Sequence, residues 1–517
     1  GHDSADGGAG ADSIDGGYGD DDILGGLGND TIQGGWGDDE LSGNAGADAA
    51  YGGEGDDTLY GDDYAPAAGD LGDRLYGGSG YDTIYGGAGN DYMHGGNGDD
   101  VIDVGSLAEM AGDSVSGGNG IDLLRASYKD ATAAIAFAPV DYLSAYAAPG
   151  GFTAIGIETW QIRGTDFADR LTGWKMSDTL MGGKGADIID GGAGDDDLYG
   201  AYGADTITGG NGDDSIYGDD TGYWDWTETP AAYGSDRILA GLGDDYVRGG
   251  DLPDTIYGER GDDALYGDSG NDYVHGGVGN DQLAGGDGND RLIGLDGNDD
   301  LYSDGSLGHD DGLEYDVLDG GAGSDDVWAG VGDYALGGDA AGTVDSVRLT
   351  FDALASGGLH YATGVTYNLR TQGQALTTLA NGTRLDGFEA LEFFGGAGTD
   401  RVTGGTRRDW LDGGLGNDTL DGYSGDDYLD GGEGADSIYG NTGNDTITDG
   451  DLQDAGRTDR ASGGSGDDSF EDGYGADILS GDAGDDVFDL GSFLRSEDFL
   501  GDTVDGGAGF DRVSYAY

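Results

Sequence analysis

The sequence predicts an all-β fold, a solenoid of very short parallel strands stacked turn upon turn. Three observations carry that prediction. A nine-residue motif recurs along the chain, its acidic residue keeps phase over long stretches, and 116 of the 517 residues are Gly. So much Gly argues against a helical or ordinary α/β protein, because each internal Gly costs about 0.5–1 kcal/mol relative to Ala. Collagen is excluded, since there are only 5 Pro and the Gly period is not three.

The first element is the repeat. From Gly7 the chain reads GGAGADSID, GGYGDDDIL, GGLGNDTIQ, GGWGDDELS, GNAGADAAY and GGEGDDTLY. This is G-G-x-G-x-D-x-U-x with U apolar, the pattern of a calcium-binding parallel β-helix repeat. The sixth-position Asp gives the sharper test. Asp3, Asp12, Asp21, Asp30, Asp39, Asp48 and Asp57 fall nine apart without a slip; Asp73, Asp82, Asp91 and Asp100 follow, then Asp113 and Asp122. A second block holds Asp169, Asp178, Asp187, Asp196, Asp205 and Asp214. It continues with Asp236, Asp245, Asp254, Asp263, Asp272, Asp281, Asp290 and Asp299, then Asp316 and Asp325. A third carries Asp400, Asp409, Asp418, Asp427, Asp436 and Asp445, then Asp459, Asp468, Asp477 and Asp486, and lastly Asp502 and Asp511.

The letters of one repeat explain its shape. The Gly residues permit a tight turn with positive φ. The D-x-U-x half is a short strand whose apolar residue (Ile14, Ile23, Ile32, Leu41) points inward. One such strand buries almost nothing, so stability must come from stacking. Turns stacked roughly 4.8 Å apart bring like carboxylates together, where they repel. Calcium takes 6–8 oxygen ligands from carboxylates and carbonyls, and a Gly-rich turn exposes its carbonyls. The stacking that creates the repulsion therefore creates a cation site.

These repeats resemble the RTX (repeats-in-toxin) family over most of the chain. The resemblance implies a right-handed parallel β-roll with two nonapeptides per turn. It also implies calcium between repeats i and i+2 on each edge, held by sixth-position Asp and turn carbonyls. Asp12 is then expected to share an ion with Asp30, Asp21 with Asp39, Asp178 with Asp196, Asp254 with Asp272, and Asp409 with Asp427. The expected ligands are all the phased Asp above except Asp3, Asp48, Asp73, Asp113, Asp169, Asp236, Asp316, Asp459 and Asp502. Asn at the fifth position (Asn29, Asn90, Asn271, Asn417) fits the family pattern. Gly43-Asn44, Ala49-Ala50 and Gly404-Gly405-Thr406-Arg407 depart from the motif, which puts sites touching them in doubt. Neutralising the net charge of −84 would take about forty Ca²⁺, the order of the repeat count, and we expect on the order of 30–40 bound ions.

Two gaps interrupt the period, giving roll blocks at 1–125, 164–345 and 395–517 with β inserts at 126–163 and 346–394. The inserts resemble each other: Ile157–Gly164 aligns with Phe388–Gly395 at an offset of 231, the same as Asp169 to Asp400. We expect both to be small β elements in or between rolls, covering open apolar ends. The chain closes with GGAGFDRVSYAY, which matches GGNGIDLLRASY at the start of the first insert, so we expect a segment of a longer protein of tandem modules. Shorter excursions such as Val104–Gly112 and Asp219–Ser235 are read as patches over exposed apolar edges. Trp224 and Trp226 make the latter the best contact surface. Ninth-position Tyr (Tyr60, Tyr85, Tyr199, Tyr217) should face outward and pair across strands, with glycan binding as the alternative.

The charge excludes unaided nucleic-acid binding, no apolar run reaches membrane-span length, and the first residues do not look like a signal peptide. With no Cys there is no disulfide framework or thiolate site. Neither HExxH nor GxSxG is present among the 517 residues, so we expect no enzyme. The expected function is a calcium-binding structural segment of a type I-secreted extracellular or cell-surface bacterial protein, folding on calcium outside the cell: a surface layer, fibre or adhesin stalk. Its partners would be calcium, further copies of itself in a layer or fibre, or glycan. The alternatives are a non-catalytic secretion and folding region of an enzyme or toxin, and a glycan- or ice-binding adhesin.

Overall fold

In a computed structural model of the chain, all residues are described except 63–70, 140–142, 221–232, 305–314, 331–332, 339–343, 351–365, 369–376, 379–383, 387, 449–456, 472, 474–475, 491–501 and 515–517. Trp224, Trp226 and most of the excursions other than Val104–Gly112 lie outside the described residues. The chain forms two compact units, Gly1–Gly258 and Glu259–Tyr517.

In the first unit each nonapeptide contributes one strand, and strand n pairs in parallel with strand n+2. Ser13–Tyr18 pairs with Thr31–Trp36, setting Ile14 against Ile32, while Asp22–Leu27 pairs with Glu40–Ala45, setting Ile23 against Leu41. The register is thus 18 residues, two nonapeptides per turn. Consecutive repeats lie on opposite sheets whose U residues meet between them. Ile23, Ile32, Leu41, Ala50, Leu59 and Leu75 are all fully buried. This is the right-handed parallel β-roll that the RTX resemblance implies. Ala50 is the small member of its column, between Ile32 and Leu75, and the column continues through it.

The first insert is spliced into the roll. One sheet runs straight through it, because Thr159–Arg163 pairs with Leu123–Ser127 on one side and with Thr179–Lys184 on the other. The opposite sheet stops at Thr153–Ile155, against which Tyr146–Ala147 packs antiparallel, and a new sheet starts where Ala136–Phe137 pairs with Arg170–Thr172. The insert thus lies in the roll, ending one sheet and starting another while the opposite sheet continues. Phe137, Tyr146 and Trp160 cluster there with ring centroids 5.2–6.0 Å apart.

The second unit repeats the plan. Its continuous sheet passes through Ser346–Thr350, Ala390–Phe394 and Trp410–Asp412. Arg384–Asp386 ends one sheet with Thr377–Thr378 antiparallel to it, and Thr366–Asn368 pairs with Arg401–Thr403 to begin the next. The offset of 231 read from the sequence holds for these strands.

Of the excursions, Val104–Gly112 folds back onto the first unit: Val104 and Met110 are fully buried, and Glu109 accepts a hydrogen bond from the Ser106 N–H at 2.7 Å. The outward tyrosines pair with each other, Tyr60 with Tyr85 at 4.9 Å and Tyr199 with Tyr217 at 5.2 Å, both stacked.

Candidate metal centres in the turns

Each Gly-rich turn begins where a strand leaves the core. In the ordinary turn the second and fourth residues have positive φ, as at Gly35 (114°) and Gly37 (124°). Among the described residues eight turns place another residue at the second position and keep the shape; Asn44 (65°), Ala201 (77°), Tyr423 (68°) and Asp482 (64°) are examples. Gly43-Asn44 is therefore an ordinary turn despite its departure from the motif.

The sixth-position Asp closes the turn and turns its carboxylate inward. Its Oδ1 accepts the backbone N–H of the Asp one full turn earlier. Asp12 N–H donates to Asp30 Oδ1 at 2.8 Å, Asp21 to Asp39 at 2.8 Å, and Asp39 to Asp57 at 2.9 Å. The same bond joins Asp57 to Asp82, Asp82 to Asp100, and Asp100 to Asp122. In the region after the first insert it links Asp178 to Asp196, Asp187 to Asp205, Asp196 to Asp214, and Asp214 to Asp245. In the second unit it joins Asp263 to Asp281, Asp281 to Asp299, Asp299 to Asp325, and Asp272 to Asp290. Further on it joins Asp400 to Asp418, Asp418 to Asp436, Asp409 to Asp427, Asp427 to Asp445, Asp445 to Asp468, and Asp468 to Asp486. Asp477 receives the Asp459 N–H in the same way. The excursions leave the ladder intact, since the 25 residues from Asp57 to Asp82 still make one turn. Asp511 ends the series, accepting from Asp486 at 3.2 Å but exposed.

Oδ2 is left over. In Asp21, Asp30, Asp39, Asp57, Asp82 and Asp100, and in Asp187, Asp196, Asp418 and Asp427 among others, it is buried with no hydrogen-bond partner. A buried, unsatisfied carboxylate oxygen costs heavily unless something compensates it. The space beside it is shaped by the first Gly of the turn. A Cβ at Gly25 would stand 2.7 Å from Asp30 Oδ2 and 2.8 Å from the Gly43 carbonyl of the next turn; at Gly413 the corresponding distances are 2.8 Å to Asp418 Oδ2 and 2.6 Å to the Gly431 carbonyl. Gly thus keeps open a cradle shared by a carboxylate and a carbonyl from successive turns.

Burial pushes the Asp82 carboxyl up to about 7 and those of Asp73 and Asp427 to about 8. The N–H from the turn below opposes the rise; neighbouring carboxylates add to it. Among the described residues no three carboxylate or imidazole side chains converge on one point. A cation in these cradles would therefore draw on Asp oxygens and main-chain carbonyls, an all-oxygen set that suits a hard ion such as Ca²⁺.

The repeat profile described as RTX calcium-binding nonapeptide repeat (4 copies) matches residues 1–32, 33–63, 68–102, 176–201, 199–220, 231–251, 248–283, 275–306, 311–336, 394–429, 421–451 and 456–493, more than half of the chain. The chain belongs to the RTX calcium-binding nonapeptide repeat family. Its repeats bind Ca²⁺, many ions to the chain, and repeats of this family occur in secreted extracellular proteins. No curated protein matches the chain.

Two features of these RTX turns were not visible from the motif. First, the fifth position runs a second ladder in the opposite sense, its Oδ1 accepting the N–H one turn later. Asp20 accepts from Asp38 at 3.1 Å, Asp38 from Asp56 at 2.9 Å, Asn271 from Asn289 at 2.8 Å, and Asn417 from Ala435 at 3.0 Å. Asp and Asn offer a short acceptor there, as does Ser324, whose Oγ accepts the Val344 N–H at 3.0 Å. Second, Asp178 and Asp409, grouped above with the calcium ligands, differ from their neighbours. Asp178 Oδ2 accepts the Trp174 N–H at 2.7 Å, and Asp409 Oδ2 accepts the Gly405 N–H at 2.7 Å.

Proposed function

We propose that the chain is a non-catalytic, calcium-loaded structural segment of an exported protein, working outside the cell as part of a surface layer, fibre or stalk, and that the ordinary sixth-position Asp are its calcium ligands. The observation that carries this is the column of buried Oδ2 atoms without partners, set beside a carbonyl of the next turn in turns such as those of Asp30 and Asp418. Ca²⁺ neutralises what burial and like charge oppose. Extracellular calcium modules bind at about 10⁻⁴–10⁻³ M, well above cytosolic calcium, so the chain would stay unfolded before export and fold on arrival. The carboxylates that an acid–base enzyme would need are committed to these turns, and the tyrosine rows spend their faces on one another, which favours a structural role over glycan binding.

Pulling single molecules tethered at both ends tests the mechanical part. In millimolar calcium the chain should resist extension and unfold in discrete steps, and in chelator it should stretch as a featureless coil. Identical traces in both would sink the proposal.

A further inference from the structure

Beside the inserts, three turns keep the sixth Asp but have donors on both of its oxygens. In Gly164–Asp169 the Thr165 N–H donates to Asp169 Oδ2 at 2.6 Å, while Oδ1 accepts from the Ile135 N–H at 2.6 Å and the Thr165 hydroxyl at 3.1 Å. In Gly173–Asp178 the two oxygens take the Trp160 N–H and the Trp174 N–H, both at 2.7 Å. In Gly404–Asp409 they take the Leu391 N–H and the Gly405 N–H, both at 2.7 Å. The last two turns are the same construction at the 231-residue offset, one in each unit, so the arrangement occurs twice independently.

The sequence shows how the turn changes. These three turns carry Phe167, Met176 and Arg407 where the fourth Gly belongs, and none of the three residues has positive φ. A bulky side chain is strained there, so the backbone takes another path and aims the second-position N–H at its own Asp. Leu252, the fourth residue of another turn, does adopt φ 73°, so the missing Gly alone does not decide the matter; the bond to Oδ2 does. Basic residues gather in the same places. Arg163, Arg170, Lys175 and Lys184 surround the first two turns in sequence, and Arg401, Arg407 and Arg408 the third, in a chain with only 21 Lys+Arg. Lys184 Nζ reaches Asp166 at 3.0 Å across one turn, and Lys175 lies over the Trp174 ring at 4.6 Å. At Asp169, Asp178 and Asp409 it is N–H donors that fill both carboxylate oxygens.

We infer that the turns ending in Asp169, Asp178 and Asp409 are closed by their own backbone and hold no calcium, so that a metal-free turn stands within the first two turns after each insert. The inference rests on the calcium reading of the ordinary turns. The test counts bound calcium by native mass spectrometry of the full chain loaded in excess calcium and desalted. Asp178→Asn and Asp409→Asn should leave the count unchanged, whereas Asp196→Asn and Asp427→Asn should each lower it by at least one. A loss at Asp178→Asn or Asp409→Asn equal to that of the controls overturns the inference. No loss in the controls overturns instead the reading of the ordinary turns. Because a carboxamide beside the Trp174 N–H strains the fold, a second variant, Trp174→Gly with Met176→Gly, restores the ordinary GGxGxD turn and should gain one ion; no gain would show that backbone closure is not what excludes calcium.

Discussion

At the scale of the residue, the first Gly of a turn and the sixth Asp divide the labour, and both can be tested singly. Gly25→Ala places a methyl against Asp30 Oδ2 and the Gly43 carbonyl, at 2.7 and 2.8 Å, too close for either to stay. The expected result is the loss of one bound ion and a destabilisation of about 1–3 kcal/mol, read by thermal melting in saturating calcium. Ala at the neighbouring third position, Trp36→Ala, should cost little beyond its partly exposed contact with Tyr18. The carboxyls also set a pH dependence. Burial raises the folded values of Asp57 and Asp187 above 3.8, to about 7 and about 8, so folding of the calcium-stripped chain binds protons. Stability without metal is then greatest near or below 3.8, declines as pH rises, and is lost through about 7–8. Circular dichroism of the stripped chain should show β structure at about pH 4–5 that disappears by about pH 8; β signal growing with pH would contradict the burial argument.

At the scale of the element, one strand contributes one apolar side chain to the core and depends on its neighbours for everything else. Ile207, fully buried between Ile189 and Ile238, should cost about 2–5 kcal/mol as Ala. Tyr199→Ala should cost only about 0.2–1 kcal/mol, since it loses a stacked partner on the outer face. Denaturant melts of the calcium-loaded chain separate the two. The repeat made these strands legible: inward U, outward Tyr and the duplicated insert follow from period and alternation, and the 18-residue register from the RTX resemblance. The path of the inserts did not follow. Only the fold brings Thr159–Arg163 between strands of the roll, and nothing in the local letters of Thr159–Arg163 says which strands it will join. The closed turns were half legible. Arg407 in place of Gly was plain, but Phe167 and Met176 carry no sign that the backbone N–H will turn onto Oδ2, because that depends on a dihedral and Leu252 shows the other choice.

At the scale of the whole molecule, charge governs. A net charge of −84 with rows of carboxylates one turn apart makes the folded state dependent on counterions, and buried rows are little screened by salt. Calcium is therefore part of the folding equilibrium, adding stability in proportion to the logarithm of its concentration once sites are occupied. Sodium at equal ionic strength should not replace it, because the cradles offer oxygens to a bound ion and do not expose the carboxylates to a diffuse atmosphere. The most direct test is to titrate calcium into the stripped full chain at about pH 7.5, following far-UV circular dichroism and hydrodynamic radius together. The account predicts an expanded coil that becomes compact and β-rich in one cooperative transition at about 10⁻⁴–10⁻³ M calcium. A stripped chain that is already compact and β-rich, and that calcium leaves unchanged, would contradict it.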